Sequence, residues 1–259
     1  MCGRYYRRSD KQRIAEAFHL GKLPKGFVLP ADYNVAPATF QPVIRQQRET
    51  GKRELVMMRW GMIPFFAETA DKFKDLSTIN ARSNTLLESP LWREPFKRRR
   101  CLVPADGLYE WPKPGKAIDP DKTQAVGGSL FPGIEPKPSR VKAAKPAKKV
   151  FAISLANDQP FAFAGIWDTW KIPTGGILES FALVTTEPNE LVATIHDRLA
   201  LILHPRDYDR RLITDGNSGA PRLPVDLLRP YEASEMKMEP ANPAVGNWRN
   251  NGPALLIGK

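Results

Sequence analysis

The chain begins with a cysteine that removal of one residue would place at the amino end. Met1 precedes the small residue Cys2, and Gly3 and Arg4 follow. Loss of Met1 leaves a 1,2-aminothiol whose amine has a pKa near ~8 and whose thiol has one near ~8.5, so part of the amine is unprotonated at neutral pH. Such an amine condenses with an aldehyde to an imine, and the sulfur then closes a five-membered thiazolidine ring. The opening favours aldehyde capture, although a lone cysteine in second position is also compatible with no chemistry.

Two further side chains are suited to proton transfer. Glu110 lies between Tyr109 and Trp111, and aromatic neighbours favour a raised carboxyl pKa. His196 has an unperturbed pKa near ~6.5 and therefore changes charge close to neutral pH. It is followed by an acidic and a basic residue, so a triplet on a helix surface is an equally good interpretation. The remaining histidines and the second cysteine are interpreted as structural: His19, His204 and Cys101.

The hydropathy pattern predicts a strand-rich scaffold for these residues. Residues 9–20 have apolar side chains at helical spacing, and residues 43–58 form two alternating runs joined by a polar connection, which indicates a hairpin. We expect Trp60, Phe65 and Phe66 on the loop after it, or at its edge. The other apolar segments are predicted as follows: a strand at 101–111 broken by a turn at 104–107, antiparallel strands at 150–155, 161–170 and 177–186, a helix leading into a strand at 189–203, and a late helix or pair of turns at 224–233.

Length and composition place the chain among ordinary globular proteins. Its 259 residues are 42% hydrophobic and 26% charged, which fits one large α+β domain. No apolar run approaches the ~20 residues that a membrane span needs, and no secretory signal pattern follows the first residues. We therefore expect a cytoplasmic monomer with no membrane association. The net charge of +11 favours a polyanionic partner without naming it.

Residues 112–149 interrupt this pattern. Seven prolines and a lysine-rich end distinguish the segment from the apolar runs on either side. We predict an exposed, partly disordered insertion between two strands. Its basic end is either a DNA-contacting tract or a solvated linker with no specific role.

Eight segments, taken in order along the chain, resemble the SOS response-associated peptidase (SRAP) family. They cover the chain apart from the insertion: MCGRY at 1–5, YNVAP at 33–37, RWGMIP at 59–64, INARSNT at 79–85, RCLVPADGLYEW at 100–111, FAGIWDTW at 163–170, VTTEPNELVATIHDR at 184–198 and AVGNWRNNG at 244–252. The resemblance implies a single SRAP domain over residues 1–259, with a barrel-like, mostly antiparallel sheet flanked by helices. It also implies crosslinking to abasic sites in single-stranded DNA, self-processing that frees Cys2, and a possible lyase activity, without a metal or cofactor. When bound to damage, the protein would be associated with the nucleoid.

The resemblance assigns roles to individual residues. The catalytic set is Cys2, Asn34, Asn80, Glu110 and His196, in which the two amides hold the terminal amine and the deoxyribose without adding charge. Glu110 is the general acid or base, and His196 opens the sugar or shuttles a proton. The DNA-binding set is Arg4, Arg82, Trp60, Pro64 and Thr185, although Trp60 is also compatible with a core position. We expect the tryptophans at 111, 167 and 170 in the core.

The chain departs from the family pattern at a few positions. Phe66 stands where a tryptophan is common, Asn84 where a glutamate is usual, and Leu199 and Ala200 where Met-Pro often follows. None of these is a proposed catalytic residue. The departures affect the expected shape of the DNA-binding surface and the fine position of His196.

Two other functions remain open from the sequence. N-terminal-nucleophile glutamine amidotransferases also begin with MCG and have a four-layered αββα sandwich with an Asn-Gly oxyanion site. The remainder of their sequence pattern is not found here, and the long Pro-rich insertion fits it poorly. A non-covalent single-stranded DNA binder would show salt-dependent affinity and no adduct that survives denaturation.

Overall fold

The computed structural model describes residues 2–23, 25–47, 49–73, 78–114, 148–213 and 223–258. Most of the predicted insertion lies outside the described residues, so its expected exposure and disorder stay predictions. No helix in the described part of the chain is long and apolar enough to cross a membrane.

Strands dominate the described residues, and the helices are short. The strands are β1 Tyr5–Arg7, β2 Asp32–Val35, β3 Phe40–Gln46, β4 Arg53–Trp60, β5 Asn80–Arg82, β6 Arg100–Ala105, β7 Gly107–Glu110, β8 Phe151–Leu155, β9 Phe161–Lys171, β10 Ile177–Thr186, β11 Leu199–Ala200, β12 Ile202–Leu203 and β13 Met236–Pro240. The α-helices are α1 Lys11–Ala17, α2 Arg93–Arg98, α3 Glu190–Ala193 and α4 Tyr208–Leu212.

Five strands close into a barrel. The order β10-β4-β3-β6-β9 returns to β10 through the β9–β10 pairing, while β11, β12 and β5 extend the sheet. The predicted α+β class and the barrel-like, mostly antiparallel sheet are confirmed. The pairings of β10 with β4 and with β5 are parallel, which the sequence did not predict.

A second sheet lies beside the barrel, with the order β13-β8-β7-β1-β2. The chain passes from the barrel into this sheet between β6 and β7, at the single residue Asp106. The predicted turn at 104–107 is therefore too long, because Pro104 and Ala105 still pair within the barrel. The buried carboxylate of Asp106 accepts hydrogen bonds from the main-chain N–H (2.9 Å) and hydroxyl (2.7 Å) of Ser9. These bonds fix the crossing against the segment that leads into α1.

Local sequence accounts for the predicted helix and hairpin. The Asp10 side chain accepts a hydrogen bond from the Arg13 N–H and so caps α1, an arrangement typical of helix starts. The helix is shorter than the predicted 9–20, because His19 has a left-handed φ of 49°. Strands β3 and β4 pair in antiparallel register as expected. The late segment forms a pair of 3-10 turns, at Val225–Leu227 and Ala233–Glu235, as one of its two interpretations predicted.

The first core cluster joins the barrel to the second sheet and encloses the start of the chain. It includes Cys2, Tyr5, Trp60, Leu108 and Ile195, all of which are fully buried. A further cluster, on the opposite face of the second sheet, contains Tyr6, Tyr109 and Val245 among others. The start of the described chain, at Cys2, is therefore part of the protein core.

Gly107 has no room for a side chain. A Cβ atom at this position would lie 2.3 Å from Cζ and Oη of Tyr6, and Tyr6 is only 4% exposed, so its ring has little room to move aside. We expect Gly107→Ala to lower the free energy of unfolding by about 1 to 3 kcal/mol, the usual range for overpacking. Urea denaturation measures this. Gly21→Ala is the matched control, because a Cβ there meets nothing within 4 Å; equal midpoints for the two variants would contradict the prediction.

Candidate active site

The ladder between β1 and β7 brings the start of the chain beside Glu110. Tyr5 pairs with Leu108, and the main-chain N–H of Tyr109 donates to the Arg4 carbonyl at 3.0 Å. Continuing this antiparallel register places Gly3 opposite Glu110. Residues that lie more than a hundred positions apart in sequence thus become neighbours.

Asn80 holds the main chain of Cys2. Its side-chain amide donates to the Cys2 carbonyl at 2.8 Å, and both residues are buried. The Cys2 Sγ lies 3.7 Å from the Arg4 carbonyl oxygen. Burial raises the pKa of the Cys2 thiol, and the nearby Glu110 carboxylate raises it further. The thiol is therefore neutral at physiological pH.

Glu110 and His196 face one another in a water-poor environment. Nε2 of His196 lies 3.9 Å from Oε2 of Glu110, and both side chains are less than a tenth exposed. Burial raises the pKa of Glu110 to about 7 and lowers the pKa of His196. A carboxyl group and an imidazole with opposed shifts of this kind are able to exchange a proton near neutral pH.

His196 lies in the turn that follows α3. Its main-chain N–H still donates to the Val192 carbonyl at 2.8 Å, and its Nδ1 lies 3.1 Å from the main-chain N and O of Arg198. The ring is 6% exposed. The interpretation of residues 196–198 as a triplet on a helix surface is wrong, because the turn directs the imidazole inward.

Three buried oxygens of the predicted catalytic set have no hydrogen-bond partner among the described residues: Oδ1 of Asn34, Oδ1 of Asn80 and Oε1 of Glu110. The hydroxyl of Thr185 shares this property. In the parallel β5–β10 ladder, Asn80 is level with Leu183 and Arg82 with Thr185, so the side chains of Asn80, Arg82 and Thr185 share one face of the sheet. Buried polar atoms without partners are uncommon in folded proteins and are suited to receive a polar ligand.

Asn34 is directed away from this group. Its side-chain amide contacts the carbonyl oxygens of Val245 (3.2 Å), Asn247 (2.9 Å) and Asn250 (2.9 Å). These contacts fasten the C-terminal segment to β2. The predicted role of Asn34 in holding the terminal amine has no supporting contact in the described part of the chain.

The contacts of Asn34 lead to a prediction that separates its two possible roles. Asn34→Ala should lower the free energy of unfolding by about 1 to 3 kcal/mol, because it leaves main-chain carbonyls without a donor, and it should leave any reaction at Cys2 within twofold. Thermal unfolding and adduct formation are the two measurements. Gln12→Ala, which removes one exposed contact to Glu16, is the control. A large loss of reaction with unchanged stability would return Asn34 to the catalytic set.

The proposed DNA-binding residues differ in accessibility. Arg82 is exposed and Arg4 half-buried, whereas Pro64 and Thr185 are buried. Trp60 is fully buried at the end of β4, and its Nε1 donates to the Ile79 carbonyl at 3.0 Å. It cannot stack on a base, so its assignment to the DNA-binding set is corrected to the alternative core position.

The loop after Trp60 presents two phenylalanines to solvent. Phe65 and Phe66 are 60% and 50% exposed. Two buried polar side chains hold the loop: Asp168 accepts from the Phe65 N–H at 3.1 Å, and Ser180 accepts from the Ile63 N–H at 2.9 Å. The sequence did not indicate these two positions, because a polar residue within a strand has no pattern that names its partner. Trp170 is buried as expected, while the tryptophans at 111 and 167 are partly exposed.

No group of three or more histidine, cysteine, aspartate or glutamate side chains suited to a metal ion is found among the described residues. The expectation that the protein needs no metal stays a prediction.

The sequence over residues 1–248 matches the model of one protein family, described as SOS response associated peptidase (SRAP). The chain belongs to the SRAP family. The family resemblance inferred from the eight ordered segments is therefore confirmed.

Named relatives of this SRAP protein extend from bacteria to vertebrates. The abasic site processing protein YoqW of Bacillus subtilis (strain 168) is 34% identical over 257 residues, which cover 99% of each chain. The abasic site processing protein HMCES of Mus musculus is 28% identical over 232 residues, which cover 86% of this chain and 64% of the mouse protein.

Solved structures show the same fold. A protein from Bacteroides thetaiotaomicron matches with a TM-score of 0.75 and 20% identity, over the full length of both chains. A protein from Bordetella bronchiseptica matches with a TM-score of 0.67 and 21% identity, over 93% of this chain and all of the other.

Proposed function

We propose that this SRAP protein captures abasic sites in single-stranded DNA as a covalent thiazolidine on Cys2, after Met1 has been removed. The observation that carries the proposal is the meeting of four distant positions in one buried site: Asn80 binds the Cys2 carbonyl, and Glu110, whose charge acts on the Cys2 thiol, faces His196. Relatives named abasic site processing proteins support the choice of substrate.

The first step is attack by the terminal amine. The open-chain sugar of an abasic site carries an aldehyde, and the unprotonated amine of Cys2 adds to its carbonyl carbon. Glu110 removes the proton that the nitrogen loses and returns a proton to the departing hydroxyl, so that the carbinolamine releases water and becomes an imine. A carboxyl pKa near 7 suits both transfers, because the donor and acceptor forms are both populated at neutral pH. His196 assists at the sugar oxygen that must be released to open the ring.

The second step closes the ring. Since the buried thiol is neutral, sulfur adds to the imine carbon as its proton passes to Glu110 and on to the nitrogen. One S–C bond forms and the C=N double bond becomes single. Aldehyde and aminothiol thus give thiazolidine and one water. An imine without the thiol would instead allow β-elimination, the basis of the proposed lyase activity.

DNA contacts are assigned by charge for the arginines, by position on the loop after Trp60 for the buried Pro64 and the exposed Phe65, and by its unpartnered hydroxyl for the buried Thr185. Arg82 and Arg4 are suited to bind phosphates, for which a guanidinium is the better donor. Phe65 and Pro64 lie on the loop proposed to sit beside unstacked bases, and the Thr185 hydroxyl faces the sugar. A single strand gives these groups access that a stacked duplex would deny.

The proposal is tested with a single-stranded oligonucleotide that carries one abasic site. The protein, with its N-terminus verified by mass spectrometry, is mixed with this DNA and resolved on a denaturing gel, and any adduct is mapped. The matched control is the tetrahydrofuran analogue, which has no aldehyde. We expect an adduct on Cys2 with the abasic DNA alone. Absence of an adduct from protein that lacks Met1 would refute the proposal.

The two alternatives predict different results. The closed barrel differs from the αββα sandwich of the amidotransferases. Release of ammonia from glutamine would be the result that supports the amidotransferase hypothesis. A non-covalent binder would show affinity for both oligonucleotides, falling with salt at a logarithmic slope of about 0.7 per phosphate contacted, and no adduct.

A further inference from the structure

Lys113 contacts both neighbours of His196. It lies three residues after Glu110, where the chain leaves β7. Its main-chain N–H donates to the carbonyl of Ile195 at 3.0 Å, and its ammonium forms an ion pair with the carboxylate of Asp197. His196 is thus held at the residue before it and at the residue after it, by one residue of the segment that carries Glu110.

The turn that carries His196 depends on such contacts. Helix α3 is only four residues long, so it gives the turn little rigidity of its own. Ile195 is fully buried, which fixes the near side of the turn, whereas Asp197 is about half exposed. The ion pair to Lys113 is a contact that ties this exposed side to the β7 segment. These two restraints, on the residues before and after His196, hold its imidazole where Nε2 lies 3.9 Å from Oε2 of Glu110.

We propose that the Lys113–Asp197 pair is a positioning device that sets the imidazole of His196 against the carboxylate of Glu110. Neither Lys113 nor Asp197 needs to touch the DNA for this role. The inference rests on the proposed function for its kinetic consequence, but its structural consequence is measurable without DNA.

The charges around His196 make it possible to distinguish an effect on the position of its ring from an effect on its pKa. Glu110 faces the ring from β7, Lys113 from the segment after β7, and Asp197 from the turn itself. After burial, which lowers the pKa of His196, the charge of the amino terminus lowers that pKa further. The hydrogen bond to the Arg198 main chain raises it, the Lys113 charge lowers it and the Asp197 charge raises it. Removing the two charges should therefore move the pKa of His196 in opposite directions, upward in Lys113→Met and downward in Asp197→Asn. Loss of position should slow the reaction in both.

The kinetic test measures single-turnover adduct formation for Lys113→Met, Asp197→Asn, the double variant, and the exchanged pair Lys113→Asp with Asp197→Lys. We expect each single variant to be about tenfold slower, because a displaced proton-transfer group loses rate steeply. The double variant should be no slower than either single one, as expected for one shared interaction, and the exchanged pair and Lys113→Arg should recover most of the rate. Stability should change by less than about 1 kcal/mol, since both side chains are partly exposed.

The second measurement uses NMR of the imidazole signals in DNA-free protein. The chain has three histidines, and His196→Gln assigns the relevant signal against His19 and His204. We expect both single variants to alter the His196 resonances, with opposite shifts of its titration midpoint. A rate that rises in one single variant and falls in the other would assign the effect to charge alone and overturn the positioning role. Additive losses of rate in the double variant would also overturn it, because they would show that the two residues act independently. If wild-type protein forms no adduct, the proposed function fails, and an unchanged His196 spectrum in the variants would then overturn the positioning role as well.

Discussion

Cys2→Ser is expected to abolish the heat-stable DNA adduct. Serine keeps the terminal amine, so an imine still forms, but the hydroxyl does not replace sulfur in a persistent ring. Borohydride, which reduces an imine to an amine, should therefore restore an adduct that is absent without it. Because Asn80 binds the main-chain carbonyl of residue 2 and not its side chain, the substitution leaves the amine in place.

Cys101→Ala is the matched control for this experiment. Cys101, the other cysteine of the chain, is buried inside the barrel, and its removal should leave adduct yield unchanged. An undiminished heat-stable adduct from Cys2→Ser without reductant would show that sulfur is not the trapping atom.

Glu110→Gln is expected to slow capture by about 100-fold to 10,000-fold, the usual contribution of a well-placed general acid or base. Glutamine preserves the shape of the side chain but cannot take up or release a proton. Single-turnover rates at pH 7, with excess protein, measure the effect. Wild-type rates in this variant would remove Glu110 from the mechanism.

The stability advantage of this variant over the wild type should grow as the pH rises, because the wild type loses stability. An unfolded glutamate ionises near pH ~4.3, whereas burial raises the pKa of Glu110 to about 7 in the folded protein. The stability that the protonated carboxyl confers is complete below the unfolded pKa and is lost as the pH rises through the folded one. Glutamine stays neutral, so its advantage over the wild type should grow by about 2 to 3 kcal/mol between pH 5 and pH 8.

Exposed carboxylates provide the control for this pH dependence. Glu88→Gln, on the surface, is measured in parallel as the control for the substitution itself. A pH-independent difference between Glu110→Gln and the wild type would show that Glu110 ionises in the folded protein as it does in the unfolded chain.

Local hydropathy patterns predicted the helices and strands that have one apolar face and one polar face. The hairpin of β3 and β4 follows from alternation on either side of a turn, and α1 from helical spacing behind the Asp10 cap. Strands β1, β2 and β13 were not predicted, because three to five residues are too few to establish a period. The parallel pairings of β10 were missed for another reason: they join strands that are distant in the chain, and no local pattern records such a partner.

The site was predicted only as far as residue chemistry and family resemblance reach. Cys2, Asn80, Glu110 and His196 come together as one buried group, which single-residue reasoning could not establish. Trp60 and Asn34 show the limit. A tryptophan next to a loop has the same sequence signature whether it faces a base or the core, and an amide has the same signature whether it binds a ligand or three main-chain carbonyls.

The enclosure of Cys2 in the core has a consequence for biosynthesis. The amino end leaves the ribosome first, but the groups that bury it, up to His196, emerge much later. At about 5 to 20 residues per second, that delay is roughly 10 to 40 s. An external aminopeptidase, in contrast to self-processing, would have to remove Met1 within this interval, before the fold encloses Cys2. For that route, we expect slower translation to raise the fraction of the protein whose first residue is Cys2.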